Sequence, residues 1–422
     1  MVDDATLLAA VAEQRADMER LLVELVEAPT VLGSEAPGQA IMRRAFAGLG
    51  LEPVDVALDP QALRDHPGAS PFSWDVSGKQ NVTAVWPPAE PADGRSLILN
   101  GHIDVVSPEP AVLWSRGPFA ATRDGDWLYG RGAGDMKAGL AAIVGAVGAL
   151  QRLGLAPRGR IELQSVVEEE CTGHGALACV LAGRRADAAV ITEPTGGAVW
   201  TSQVGVLWFQ VRVLGRPAHA GEARAGENAI EATFPVVRAL RALEAELNAH
   251  PPPPYDAYPN PINLNVGIIR GGDWASTVAG ECVTHCRLAL YPDDHVGNLR
   301  RRVEAAVAAA RADPAVAGFD VEVRYDGFAR DGYSIAADAP PVGALRVAAE
   351  RAFGVAPAVV ASTATTDASI LQLYGGTPAM CFGPYAESIH GVDERVHLPS
   401  MVQTAQALAL FIRDWCGLKP AA

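Results

Sequence analysis

The sequence predicts a layered α/β domain, with a mixed and largely parallel sheet flanked by helices, interrupted by a smaller α+β insertion. Three observations predict it. Short apolar runs at residues 97–99, 161–167 and 188–191 alternate with helical stretches at 137–153 and 175–181, the rhythm of βαβ units. Between about Gln203 and Asp326 the texture changes to strands and helices of a different order, and after that the first rhythm resumes.

Taken in order, apolar spacing over 7–26 predicts one amphipathic helix, and 41–49 a second, just before the first strand region. The stretch 138–150 is apolar and rich in Gly and Ala; it is too short to span a bilayer and reads as a buried helix. In the insertion, 206–214 alternates as a strand and 228–248 reads as a long helix. The proline run 251–254, two further strand-like runs and an Ala-rich helix at 299–312 follow. The tail predicts a helix at 341–353, a Thr/Ser-rich turn, a strand at 378–382 and a closing helix at 401–416.

Composition narrows the function. A chain of 422 residues, 49 % apolar, can bury a large core and is expected to form two domains. With 49 acidic against 34 basic residues and no basic stripe, a nucleic-acid surface is not expected, and small molecules are the expected partners. The six cysteines are scattered without a close-spaced framework, as in reduced, cytoplasmic proteins. The opening MVDDATLLAAVAEQRADMERLL carries acids where an export signal needs bases, so a cytoplasmic location with no membrane partner is expected.

Five segments carry candidate chemistry. Leu97-Ile-Leu-Asn-Gly-His-Ile-Asp-Val-Val106 runs a strand into His102 and Asp104. Residues two apart on extended chain share a face, so Asp104 can orient the His102 imidazole while its other nitrogen takes a metal. Alone, the pair reads first as a surface turn after a strand. Leu128-Tyr-Gly-Arg-Gly-Ala-Gly-Asp-Met-Lys137 brings three glycines to Asp135 at the mouth of a helix. Its spacing matches neither a dinucleotide loop nor a P-loop.

Ile161-Glu-Leu-Gln-Ser-Val-Val-Glu-Glu-Glu170 ends an apolar strand in three carboxylates. Such a run is commonly a solvated turn, but like charges at a core edge call for a cation, and ligands gather at strand ends in open α/β sheets. Glu193 stands at another strand end before Pro194, and His390 lies in a late loop where a lone histidine is ordinarily a surface residue. Together the segments supply two imidazoles and several carboxylates. That mixture suits Zn²⁺, Co²⁺ or Mn²⁺ better than Ca²⁺. Two divalent ions would balance Asp135, Glu169, Glu170 and Glu193.

The ordered set GHxDVV, GRGAGDMKAG, EEE, TEP and HGxDE resembles the M20 metallopeptidase family, nearest its acetylornithine deacetylase and succinyl-diaminopimelate desuccinylase branch. The resemblance covers almost the whole chain. It implies a catalytic metal-binding domain at 1–202 and 327–422, and an inserted dimerisation, or lid, domain at 203–326. It also implies a homodimer and two divalent metal ions per subunit, Zn²⁺ first, with Co²⁺ or Mn²⁺ as alternatives.

By the same resemblance Asp135 bridges the metals, His102 and Glu170 hold one, Glu193 and His390 the other, and Glu169 is the general base. Arg216-Pro-Ala-His219 resembles the dimer-domain motif whose histidine reaches the partner's site, and Asn265 and Arg287 fall where substrate contacts are placed. The expected reaction is hydrolysis of an N-acyl amino acid, with acetyl on a basic or polar amino acid the favoured substrate. The alternatives are dipeptide cleavage, deacylation of a non-amino-acid amide such as a formylated aminopyrimidine, a carbamoyl-type reaction, and an inactive metal-binding homologue. The sequence departs from the pattern at the run after His219, at Ala279 where proline is common, and at His285 where an acid is frequent.

Overall fold

In the computed structural model, which describes residues 2–421, the main sheet has nine strands. Its centre is parallel. Leu97–His102 lies between Ile161–Val166 and Ala189–Ile191, and Ala189–Ile191 pairs in turn with Ala379–Cys381, all parallel. On one flank Pro53–Ala57 and Gln80–Trp86 are antiparallel; on the other Val199–Gln203 pairs antiparallel with Ala379–Cys381 and Tyr333–Ser334 and parallel with Val359–Ser362. The largely parallel expectation therefore describes the centre. The central strands are buried on both faces, the polar Glu162, Gln164 and Ser165 included, whereas the edge strand Pro53–Ala57 exposes Val54 and has no apolar run to read.

The N-terminal helical stretch is two helices, Asp4–Ala12 and Arg15–Glu27, with a break at Glu13 and Gln14. Apolar periodicity runs through the break because both pieces bury the same kind of face, with Leu7, Val11, Leu22 and Leu25 all inaccessible. Asp3 caps the first, accepting the Thr6 N–H at 2.8 Å. These helices pack with Ala138–Arg152, Pro340–Phe353 and Leu398–Cys416 into one layer against the sheet; a smaller group pairs His174–Leu181 with Ala368–Leu373. Ala138–Arg152 is buried almost end to end, as its apolar, glycine-rich composition predicts.

The second sheet is antiparallel, with Leu264–Gly271 at one edge, then Glu281–Leu290, Gly205–Leu214 and Asp320–Arg324; Ala329–Arg330 also pairs with Gly205–Leu214. The helices Ala229–Leu247 and Val296–Ala310 cover one face and close a separate hydrophobic core around Phe209, Leu240, Leu288 and Val303. Along Gly205–Leu214 the residues Phe209, Val211 and Val213 enter this core. Trp208, Gln210 and Arg212 take the opposite face.

One close approach fixes where the main sheet meets its core helix. A Cβ on Gly139 would sit 2.1 Å from the Thr192 carbonyl oxygen, so only glycine lets the start of Ala138–Arg152 touch the end of Ala189–Ile191. Gly139→Ala is therefore expected to cost about 1–3 kcal/mol, the usual range for overpacking, read as a lower urea midpoint at unchanged m-value. A variant as stable as the parent would show that helix and strand can part freely.

Candidate active site

The parallel strands Leu97–His102, Ile161–Val166 and Ala189–Ile191 share a direction, so the segments that leave them begin at one edge of the sheet. Those segments carry His102, Glu169 with Glu170, and Glu193. Asp135, Glu169, Glu170, Glu193 and His390 line one cavity of about 660 Å³, whose opposite wall comes from the second sheet.

His102 is fixed by its own chain. Its Nδ1 lies 2.8 Å from the Asp104 carbonyl oxygen, which leaves Nε2 facing Asp135 Oδ1 at 3.0 Å. The Asp104 carboxylate, at 3.8 Å, is too far to hydrogen-bond the ring. It instead accepts the backbone N–H groups of Glu169 and Glu170 at 3.2 and 3.0 Å. Asp104 thus orients the imidazole through its backbone and shapes the neighbouring turn through its side chain. Burial pushes its carboxyl up to about 7 against the pull of His102.

The three successive carboxylates separate. Glu168, with φ of 61°, turns away and is buried against Lys79 at 2.8 Å, taking further bonds from Trp74 Nε1 and Thr172 Oγ1. Burial works against its charge, but His174, Lys79 and Trp74 together hold it down to about 2. Glu169 and Glu170 face the cavity. Glu169 Oε1 is buried without a partner, and burial, with Glu193 and Asp367 adding to it, drives this carboxyl well above the usual range. Glu193 is raised in the same way, by burial and then by Asp135.

Asp135 is the hub. Its Oδ2 lies 3.3 Å from His390 Nε2 while Oδ1 faces His102, and the two imidazoles hold it well below the carboxylate range despite burial. His390 also stands 3.1 Å from Glu170, and that carboxylate, with Asp135, pushes the imidazole up to about 11. The resemblance pairs Glu170 with His102; His390 also stands beside Glu170, and Glu193 acts on Asp135 and His102.

These residues fit divalent cations. Donor atoms of His102, Asp135 and Glu170 all lie within 4.8 Å of one another. Four carboxylates against two imidazoles leave buried negative charge uncompensated, and the mixed nitrogen and oxygen set suits Zn²⁺, Co²⁺ or Mn²⁺.

Sequence reading missed the residues that hold this hub in place. The Glu394 carboxylate is fully buried and accepts the N–H groups of Gly132, Gly134 and Asp135 at 3.1, 3.0 and 3.0 Å, with Arg131 Nη1 at 2.5 Å. It ties the Asp135 loop to the His390 loop. Gly134 has no room for a Cβ, which would fall 2.4 Å from that of Ala386. The Lys137 ammonium, driven down to about 7 by burial, donates to the carbonyls of Leu25 and Ala28 at 2.8 and 2.9 Å.

Behind the cavity Arg330, fully enclosed, donates to the carbonyls of Thr172 and Thr366, and lies 3.9 Å from Asp367, whose oxygens have no hydrogen-bond partner. Burial lifts Asp367 to about 6. Nothing local in the sequence marks these pairs, because each joins residues far apart in the chain.

On the second sheet, Trp208, Arg287 and Asn265 stand in one cross-strand row, and Gln210, His285 and Ile268 in the next. All six line the cavity. His219 does not; it is exposed, and its Nδ1 accepts the Gly221 N–H at 3.1 Å.

The model of peptidase family M20/M25/M40 matches residues 98–414. An N-formyl-4-amino-5-aminomethyl-2-methylpyrimidine deformylase of Halalkalibacterium halodurans is 29 % identical, over 84 % of this chain and 87 % of its own. A succinyl-diaminopimelate desuccinylase of a Methylobacterium species is 31 % identical, over 78 % and 82 %. Among solved structures, a dipeptidase of Saccharomyces cerevisiae superposes with a TM-score of 0.80 at 13 % identity, over 98 % of both chains, and shares the fold.

Replacing Glu394 with alanine leaves Arg131 and three backbone donors unpaired in the interior. Breaking such a buried pair from one side costs about 3–5 kcal/mol, so Glu394→Ala is expected to unfold at a markedly lower urea concentration than the parent. A loss under about 1 kcal/mol, the level of a surface ion pair, would remove Glu394 from this role.

Proposed function

This chain belongs to peptidase family M20/M25/M40 and is a metal-dependent hydrolase of amide bonds; from that premise we propose that it removes the acyl group from an N-acyl amino acid with a free carboxylate. The observation that carries the reading is the pairing of two features across one cavity. On the floor, Asp135 turns one oxygen to each of two histidines. On the facing wall stands Arg287, whose guanidinium is depressed by burial with no acidic group offsetting the cost. An unmatched cation beside an amide-cleaving centre is suited to a bidentate grip on a substrate carboxylate.

Asp135 would be shared between two cations, with His390 and Glu170 completing one set and His102 and Glu193 the other. Zn²⁺ is the first choice, with Co²⁺ and Mn²⁺ as alternatives. The cations, once bound, would lower the pKa of a water and polarise the scissile carbonyl. Glu169, facing the cavity with an unpaired oxygen, takes the water's proton and returns it to the leaving amine. Asp104 keeps Glu169 in place through its backbone N–H. Arg287 and Asn265 fix which amide meets the floor.

A homodimer is part of the proposal. The strand Leu264–Gly271 is an unpaired sheet edge, with Ile268, Ile269 and Trp274 exposed at 42, 52 and 72 %, and His219 is exposed on the same insertion. In this reading His219 steadies the oxyanion in the partner's cavity. A second reading, hydrolysis of an N-formyl amide without a carboxylate, is favoured by the relatedness to the aminopyrimidine deformylase.

The test is a panel of N-acetyl, N-succinyl and N-formyl amino acids, their methyl esters, simple dipeptides and an N-formyl aminomethylpyrimidine. Each is offered to metal-stripped protein before and after Zn²⁺ or Co²⁺. Metal-dependent amine release from the free acids, with the esters at least about tenfold slower, is expected. Equal rates for acid and ester, or cleavage of the pyrimidine amide alone, would favour the second reading; silence from protein with both metals bound would defeat both.

The roles of the adjacent carboxylates separate by mutation. Glu169→Gln is expected to keep its metal content and lose turnover by about 10²–10⁴, the contribution of a general base. Glu170→Gln should instead lose metal affinity by about 10- to 100-fold or more, measured by titration with a chromophoric chelator. The reverse pattern would overturn both assignments.

A further inference from the structure

The wall that faces the metal-binding floor has its own chemistry. The cross-strand row places Trp208 directly beside Arg287. Trp208 is held flat: Gly327, with φ of 90°, leaves no room for a Cβ, which would meet Trp208 Cε3 at 2.4 Å. Phe328 packs edge-on against the indole, with centroids 5.3 Å apart at 83°. Phe328 and Trp200 also line the cavity, so three aromatic side chains share it with Arg287, and Trp208 and Phe328 form one aromatic patch on its wall.

The same wall has little to offer a second positive charge. Apart from the floor carboxylates, the acid lining the cavity is Asp326, and it is engaged by the Ser73 hydroxyl at 2.6 Å. The remaining polar groups of the two rows are the amides Gln210 and Asn265 and His285, whose imidazole is depressed by burial and by Arg270. A lysine- or ornithine-like side chain would therefore enter an aromatic slot beside a cation, with Asp326 as the single carboxylate beyond the floor to answer its charge.

We propose that the amine half of the substrate is an aromatic amino acid. Its ring packs on Trp208 and Phe328 while its carboxylate lies on Arg287. This rests on the deacylase reading and narrows it, replacing the basic or polar side chain that the family resemblance favours. Burial of one ring against aromatic neighbours supplies both apolar area and a directional contact. Cross-strand neighbours stand about 5 Å apart. That spacing sets ring slot and carboxylate grip side by side, as the two groups lie in one phenylalanine-like molecule.

The experiment compares kcat/KM for N-acetyl derivatives of phenylalanine, tryptophan, alanine and ornithine on metal-loaded parent, Trp208→Ala, Trp208→Phe and Arg287→Met. The parent is expected to favour the aromatic substrates over alanine and ornithine by about 30-fold or more. Trp208→Ala should erase most of that ratio, Trp208→Phe should restore much of it, and Arg287→Met should depress every carboxylate substrate alike. Preference for ornithine or alanine, or a Trp208→Ala loss equal across the four, overturns the proposal.

Binding of N-acetyl-phenylalanine and N-acetylornithine to the metal-loaded parent and Trp208→Ala is read in parallel by isothermal titration calorimetry. If none of the amides is cleaved, the deacylase reading has failed on its own. Tighter binding of the aromatic ligand, lost in Trp208→Ala, then still supports the aromatic slot, and equal or absent binding overturns it.

Discussion

Asp135, Glu169, Glu170 and Glu193 are gathered on one cavity floor at the edge where parallel strands end, and gathering buried carboxylates is energetically adverse unless something answers their charge. Much of the surrounding structure follows from that constraint. His102 and His390 bracket Asp135 from opposite oxygens. Acids close by that would worsen the repulsion are drawn to cations of their own surroundings: Glu168 to Lys79, which it shares with Glu35, Glu394 to Arg131, and Asp367 toward Arg330. The residual excess on the floor is what a pair of divalent cations would neutralise.

The same ion pairs do mechanical work. Glu394 sits in a nest of three backbone donors and so joins the loop carrying Asp135 to the loop carrying His390, although the two are some 260 residues apart in the chain. Lys137, two residues after Asp135, is anchored on carbonyls of the N-terminal helical region. A hub carboxylate held from both sides in this way keeps its two oxygens aimed without rearranging on ligand binding, which is what a preorganised polar site requires.

How much of this was legible in the sequence depends on the range of the interaction. His102, Asp135, Glu169, Glu170 and Glu193 could be found because each is a polar residue of the right kind next to an apolar run or a glycine turn, a local signal. His390 had no local signal and became legible only through the ordered resemblance. The proximity of His390 to Glu170 spans 220 positions, and no local signal could show it. Glu168 and Glu169 are neighbours of the same type, yet a left-handed backbone at Glu168 sends them into different surroundings, and nothing in the EEE string distinguishes them. The helix break at Gln14 and the antiparallel strands at the flanks of the sheet escaped similarly, since periodicity records which face is buried and not the direction of the axis or of the partner strand.

Selectivity, by contrast, is built on register. Along Gly205–Leu214 the residues Phe209, Val211 and Val213 belong to the second core while Trp208 and Gln210 turn toward the cavity, so a slip of one position would turn Trp208 away from it. The edge strand needs an irregularity to take part. Asn265 and Ile268 are three apart and would face opposite sides of a regular strand, but a bulge at Gly267 restores both to the cavity, opposite Arg287 and His285. The two sheets thus divide the work according to what each kind does well. Parallel strand ends concentrate charge at one edge, and an antiparallel face sets out side chains on a grid whose spacing is fixed by the backbone.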